Sequence, residues 1–343
     1  RPMSRAAARH TISILQVHQI LQGAEHRGLD LAAILRRAGI GAALLDSQRS
    51  RVTQAQYAAL IRVLRRVTRD ELWGLCSRPL PPGSFANACR MLVHCRTLHE
   101  ALRTGFGFYR LLLADFTPRL TVHDGIASVR MLRKDIACNP RASYAERTFS
   151  FFTYGLGSWL VARRIPVEQV MYRPIDFDAG SEADRLFEAP VLAHYPWVGF
   201  AFQARWLDLP VVQTTQSLAE LLQQAPSSLL VQYRDRSTPS ERVRRLLRRH
   251  LGEQMPSLES VAASLAMTPQ TLRRHLKNEG QGFQALKDEL RRDAAIEYLT
   301  QPGLTLLDIA NRLGFAEAST FHRAFKGWTG QAPGVYRRGH PTP

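Results

Sequence analysis

A short stretch after residue 267 combines amide, hydroxyl and basic side chains with an apolar stripe. Leu272 and Leu276 lie four residues apart and share one face of a predicted helix. Thr268-Pro269 predicts the start of that helix, since threonine caps helix N-termini and proline fits the first helical position. The side chains that point elsewhere are Gln270, Thr271, Arg273, Arg274 and Lys277. Guanidinium and amide groups bond guanine and adenine edges in pairs, so we predict that this helix lies in a DNA major groove.

The same arrangement recurs about fifty residues later. A supporting helix is predicted over Leu306–Leu313, Gly314 breaks it, and Phe321 and Phe325 mark the inner face of a second reading helix. The outer face carries Ser319, Thr320, His322, Arg323 and Lys326. We predict that these side chains contact a second DNA segment.

The two predicted reading helices are separated by a long amphipathic stretch. Leu258, Val261, Ala262 and Leu265 predict the supporting helix of the first unit, and Phe283–Leu299 predicts one connecting helix. Two reading helices on one chain can enter successive major grooves about 34 Å apart. Such a chain can read a long site as a monomer.

These residues closely resemble the AraC/XylS family of bacterial transcription regulators. The resemblance rests on Leu290-Arg291, Ala295, Ile309-Ala310, Leu313-Gly314-Phe315, Ser319, Phe321, Ala324-Phe325-Lys326, Gly330, Pro333 and Tyr336-Arg337. The chain departs mildly from the family pattern at Ala332 and at Gly280-Gln281-Gly282. The resemblance implies a transcription regulator that binds double-stranded DNA sequence-specifically at a promoter operator. We expect an activator with RNA polymerase as a partner, although the sequence does not distinguish activation from repression.

The N-terminal two thirds mixes helical and strand patterns. Alternating apolar residues around Asp124-Gly125 predict a hairpin, and Val167–Tyr172 and Val198–Phe202 predict two further strands among amphipathic helices. We predict an α+β sensor domain, mostly helical with a small sheet, over residues 1–230. A linker at 231–240 and an all-α DNA-binding domain of two helix-turn-helix units over 241–343 complete the predicted fold.

In the family the N-terminal domain serves effector binding, dimerisation or both. Here the Leu98–Arg110 stretch resembles the longer type of sensor domain, which implies a hydrophobic pocket. The aromatic candidates for effector contact are Phe106, Tyr109, Phe149 and Phe152, with Arg90 or Arg110 to hold a carboxylate. The alternative is an ordinary aromatic core with arginines on its edge.

The net charge of +17 favours a polyanionic partner. Of 46 basic residues only four are lysine, which an arginine-favouring genome explains better than a special preference for phosphate does. Five arginines lie between Arg242 and Arg249, and two interpretations stay open for them: phosphate contact, or a solvated helix face.

Enzyme signatures are weak in this sequence. It contains no HExxH, no GxSxG and no metal-like cysteine spacing, so we predict no catalytic residue, metal or cofactor. No apolar run is long enough for a membrane helix, and we expect a cytoplasmic, nucleoid-associated homodimer without membrane contact. The competing hypothesis is a ligand-independent dimeric architectural protein or repressor.

Overall fold

The computed structural model describes residues 11–134, 139, 141–173, 187, 189–224, 238–253 and 255–338. The elements up to residue 134 are β1 (Ile12–Ser13), α1 (Ile14–His26), α2 (Leu31–Arg37), a 3-10 turn (Ala42–Asp46), β2 (Arg51–Val52), α3 (Gln54–Thr68), α4 (Ser84–Leu92), α5 (Leu98–Leu112), β3 (Phe116–His123) and β4 (Ile126–Arg133). Next come α6 (Ala142–Leu160), β5 (Val167–Met171), β6 (Val191–Leu192), β7 (Val198–Gln203), a 3-10 turn (Ala204–Asp208) and α7 (Thr215–Gln224). The last elements are α8 (Pro239–Arg249), α9 (Leu258–Ser264), α10 (Pro269–Asn278), α11 (Phe283–Leu299), α12 (Leu306–Arg312), α13 (Ala318–Thr329) and α14 (Pro333–Arg338).

The chain forms two compact units. The first takes its described residues from 1–18, 32–60 and 235–343, and the second takes them from 19–31 and 61–234. The N-terminal segments 11–18 and 32–60 thus belong to the same unit as the predicted DNA-reading helices. Most of the linker predicted at 231–240 lies outside the described residues.

A five-stranded sheet organises the second unit. Its strand order is β3-β4-β7-β5-β6, with antiparallel neighbours except the parallel pair β5 and β6. The predicted hairpin is confirmed: His123 pairs with Ile126, and Asp124 and Gly125 have φ values of 48° and 74°. Two left-handed residues in succession match the twist of the flanking strands.

Helix α6 covers one face of this sheet. It packs against β4 and β7 through aromatic side chains. The rings of Phe149 and Phe116 meet edge to face at 5.6 Å, and those of Tyr154 and Phe200 do so at the same distance. Phe116 and Phe200 are buried, so this layer is the core of the second unit.

The first unit contains the two predicted helix-turn-helix pairs, α9–α10 and α12–α13, joined by α11. The predicted fold class is confirmed: an α+β region with a small sheet precedes a helical region of two such pairs. Leu286, Leu290 and Leu299 on α11 are buried, because the connecting helix supplies the common core of both pairs.

Residues 11–51 pack on the helical part of the same unit. Thr11 donates from its hydroxyl to Asp293 of α11 at 2.6 Å, and the Arg51 amide donates to the Tyr336 hydroxyl at 3.1 Å. The Ser47 hydroxyl donates to the Thr329 carbonyl at 2.9 Å. These bonds join residues more than 280 positions apart, and they attach the N-terminal segment to the connecting helix α11, to α13 and to α14.

Within the described residues, no helix has the length and apolar character needed to span a bilayer.

Candidate nucleic-acid interface and effector region

The first reading helix, α10, is held by its cap and by two leucines. The Thr268 hydroxyl accepts from the Thr271 amide at 3.2 Å, and Pro269 occupies the first turn, as the sequence predicted. Leu272 and Leu276 are fully buried. The turn before the helix depends on Ala266, whose φ is 55°, a strained value for a residue with a side chain.

The opposite face of α10 is open to solvent. Gln270, Arg273, Arg274 and Lys277 are exposed, and Thr271 is half-buried beside its cap partner. The structure therefore brings the four long predicted side chains onto one accessible surface. Arginine, lysine and glutamine in this position have the donors and reach that major-groove recognition requires.

The second reading helix, α13, also buries one face and exposes a polar one, but its buried face is aromatic. Phe321 and Phe325 are fully buried and their rings lie 5.7 Å apart. The Tyr336 ring of α14 meets Phe325 edge to face at 5.0 Å. The exposed side chains on the outer face are Ser319, Thr320, His322, Arg323 and Lys326.

The turn that positions α13 requires glycine. Gly314 follows α12 with a φ of 77°, and a Cβ built there would lie 3.0 Å from the Glu253 carbonyl oxygen. Upstream, Thr305 and Asp308 form a reciprocal capping box at the start of α12. Sequence and local geometry thus fix both ends of the supporting helix.

The hydrogen bonds between the N-terminal segment and α13 lie near the C-terminal end of this helix. Besides the bond from Ser47, Arg49 donates to the Gly327 carbonyl at 3.2 Å, and Gln331 donates to the Ala43 carbonyl at 3.2 Å. The predicted contact residues Ser319–Arg323 lie in the first half of the helix. They stay exposed with the segment in place.

Burial affects at least two of the arginines of α8. Arg244 is buried and donates to Glu241 at 3.1 Å and to Glu289 of α11 at 2.9 Å. Burial also lowers the pKa of Arg248 from its ordinary value. For Arg244, neither a free phosphate contact nor a solvated face describes the observed position. The residue is a positioning group that sequence reasoning missed, although acidic residues at helical spacing nearby were a usable signal.

The aromatic residues predicted to contact an effector do not all lie in one cluster. Phe106, Tyr109 and Phe149 are buried, with the Tyr109 and Phe149 rings 4.8 Å apart, and Phe152 packs partly buried against a different cluster around Leu160. Burial raises the pKa of the Tyr109 hydroxyl, so it is neutral at any physiological pH.

The two arginines predicted to hold a carboxylate lie at the surface. Arg90 is exposed and donates to Asn87 at 2.7 Å, and Arg110 is exposed on the outer side of α5. A surface depression of about 470 Å³ opens at the start of α5. Its lining is Arg96, Thr97, His99, Glu100, Arg103 and Thr104, none of which was predicted to contact an effector.

Comparison with known proteins assigns both regions. Residues 28–211, more than half of the chain, match the family model described as the arabinose-binding N-terminal domain of AraC transcription regulators. Residues 261–339 match a helix-turn-helix domain, which includes both reading helices.

Curated relatives agree with these matches. The chain is 26% identical to the ornithine utilization regulator of Pseudomonas aeruginosa, over 90% of this chain and 91% of the relative. It is 37% identical to the transcriptional regulator VirS of Mycobacterium tuberculosis over 41% of each chain. It is also 37% identical to the urease operon transcriptional activator of Escherichia coli, over 26% of this chain and 31% of the relative. The chain therefore belongs to the AraC family of transcriptional regulators, with an N-terminal ligand-binding domain and a C-terminal helix-turn-helix region that binds DNA.

Proposed function

We propose that this regulator activates transcription by placing α10 and α13 in two successive major grooves of one operator. Arg273 and Arg274 are the candidates for guanine or phosphate contacts and Gln270 for adenine. Thr271 and Lys277 flank them. In the second groove, His322 and Arg323 are the central candidates, with Ser319, Thr320 and Lys326 beside them.

One observation carries this proposal. Both reading helices bury an apolar stripe and expose their arginine and lysine side chains on the other face, within a single unit of the chain. Every surface helix is amphipathic, so what distinguishes these two helices is that they occupy the same position in two helix-turn-helix pairs. Two exposed polar helices at the same position of two helix-turn-helix pairs are the arrangement that DNA grooves require.

The experiment is selection of binding sites from random duplexes by the full chain, followed by titration of the selected site at several salt concentrations. Arg273→Ala should weaken binding by about 1–3 kcal/mol at one base position if the guanidinium reads a base. A uniform loss over all sequences with a salt slope smaller by about 1 assigns it to phosphate instead. Arg66→Ala, which removes an exposed arginine from α3 in the other unit, is the matched control and should change neither. Failure to enrich any sequence would contradict the proposal and favour the architectural alternative.

We further propose that a small molecule bound to the N-terminal domain controls this activity by shifting the population of a DNA-competent state. The Escherichia coli relative is named an activator, and the Pseudomonas relative is named for ornithine utilization. The first name supports activation and the second makes ornithine one compound to screen; RNA polymerase is the partner that we propose for activation. A homodimer working on the nucleoid in the cytoplasm completes the proposal.

In vitro transcription from a promoter that carries the selected site tests this part. Transcription by purified RNA polymerase should rise with added protein and rise further with an active compound. Repression in the same assay would overturn the activator assignment but leave the operator assignment intact.

A further inference from the structure

A buried ionic cluster lies where α6 meets the end of β4 in the second unit. Glu146 of α6 is fully buried, and its Oε1 accepts from Nε of Arg133 at 2.9 Å. Arg173, which follows β5, forms an ion pair with the other carboxylate oxygen. Both arginine side chains are only 6% exposed. Groups of this kind are rarely buried unless their charge is used or fully compensated.

The compensation at Arg133 is incomplete. Its Nη2 is buried and has no hydrogen-bond partner among the described residues, although Nε is already held by Glu146. The Ser143 hydroxyl, one helical turn before Glu146, is likewise buried without a partner among the described residues. Two orphaned polar atoms beside one ion pair are unusual, because buried polar groups in native proteins are almost always paired. Both are donors suited to an anionic oxygen.

Aromatic rings lie next to this polar group. Arg133 pairs in register with Phe116 across the β3–β4 hairpin, so both side chains point to the face that α6 covers. Phe149, three residues after Glu146 on α6, packs on Phe116 at 5.6 Å and on Tyr109 at 4.8 Å. The aromatic residues predicted for effector contact thus adjoin a buried guanidinium.

We propose that Arg133, with Ser143 beside it, forms the anchor for the carboxylate of an effector whose apolar part packs against Phe149, Phe116 and Tyr109. The inference rests on the effector-controlled function proposed above. Glu146 orients the guanidinium through Nε and leaves Nη2 free to donate a charge-assisted hydrogen bond to the carboxylate. Arg90 and Arg110 do not serve as the anchor, because their solvated side chains would gain little from a carboxylate in water.

The experiment measures thermal unfolding of the full chain with benzoate or octanoate and, as matched neutral probes, with benzamide or octanamide at constant ionic strength. At least one carboxylate should raise Tm by a few degrees when present in large excess over its Kd. The corresponding amide should give a shift at least several-fold smaller. Equal protection by acid and amide, or no protection by either carboxylate, overturns the proposal.

Variants separate an anchor from a merely structural ion pair. Arg133→Lys keeps the charge but cannot bond Glu146 through Nε and the ligand through Nη2 at once, and it should weaken apparent carboxylate affinity at least tenfold. Arg119→Lys, at an exposed position on the neighbouring strand, is the control and should retain wild-type protection. Loss of protection in Arg90→Lys or Arg110→Lys, with Arg133→Lys unaffected, would restore the surface arginines as the anchor.

Glu146→Gln should change the carboxylate-induced Tm shift in the opposite direction, and this test does not depend on whether Arg133→Lys folds. The glutamine keeps a side-chain oxygen that can accept from Nε of Arg133, and it removes the negative charge that repels an incoming carboxylate, so the carboxylate probes should raise Tm more than in the wild type. A purely structural cluster predicts loss of stability with no greater response to benzoate or octanoate. Neither result affects the operator assignment, because site selection tests that assignment separately. Protection by the neutral amides alone would support effector control but reject a carboxylate as the effector's anchoring group.

Discussion

The two helix-turn-helix pairs of the first unit differ in how they are anchored. The first reading helix, α10, has a threonine cap and two buried leucines, with three exposed basic side chains on its outer face. The second, α13, has no side-chain cap bond at Glu317 and only two lysine or arginine side chains on its predicted contact face. It instead rests on aromatic rings and on the N-terminal segment. We infer that α10 contributes more charge to DNA binding, whereas α13 contributes a more rigid platform.

The largest expected difference concerns charge. Replacing Arg273, Arg274 and Lys277 together with alanine should reduce the slope of log K against log salt by up to about 2.7, at about 0.9 per phosphate contact. The α13 counterpart, Arg323→Ala with Lys326→Ala, should reduce it by up to about 1.8. Titration of one operator at four salt concentrations measures both slopes. A larger change for α13 would reverse the comparison.

The aromatic platform of α13 predicts a large stability effect. Phe325 is fully buried between Phe321 and Tyr336, so Phe325→Ala should lower the free energy of unfolding by about 3–5 kcal/mol. Leu307→Ala, at a leucine of α12 that is 52% exposed, is the control and should change it by less than about 0.5 kcal/mol. Urea unfolding curves give both values. Similar values for the two variants would show that the aromatic platform is not what stabilises this pair.

The attachment of the N-terminal segment to α11 predicts an intermediate effect on stability. Asp293 is buried on α11 and accepts from the Thr11 hydroxyl at 2.6 Å and from the Arg292 guanidinium at 2.9 Å. Asp293→Ala should therefore cost about 1.5–3 kcal/mol and speed amide hydrogen exchange in residues 42–51, which contact α13 and α14. Asp288→Ala on the same helix is the control. Unchanged exchange in residues 42–51 would mean that the segment is held independently of Asp293.

The capping box of α12 predicts the smallest effect and a pH dependence. Thr305→Ala should cost about 0.5–2 kcal/mol, as loss of a helix cap does. Hydrogen bonds from the Thr305 hydroxyl and amide hold the pKa of Asp308 below its ordinary value. A lowered folded pKa means that the stabilisation is complete above about pH 4 and is lost as pH falls through the lowered value. The Tm difference between wild type and Asp308→Asn should therefore shrink on acidification, and a constant difference would contradict the capping role.

Local pattern predicted the reading helices because each of their determinants is local. Leu272 and Leu276 share a face through helical periodicity alone, and Thr268-Pro269 marks the start of α10 without reference to any other segment. The hairpin at Asp124-Gly125 was predictable for the same reason.

Long-range contacts left no such pattern. The bond between Thr11 and Asp293 spans 282 residues, so nothing near either residue indicates that the N-terminal segment joins the helix-turn-helix unit. Arg133 was overlooked because its partner Glu146 lies on another element, thirteen residues away. Arg110 is different: its exposed position follows from periodicity, since the buried stripe of α5 runs through Leu102, Phe106 and Tyr109.

Hydroxyl-radical footprinting of the full chain on its selected operator tests the central claim most directly. Two reading helices on one chain predict two protected segments about 10–10.5 base pairs apart on one face of the duplex. The α10 triple variant should lose protection of one segment, and the α13 double variant should weaken the other. A single protected segment, or equal loss of both segments in each variant, would contradict the account of two separate reading helices.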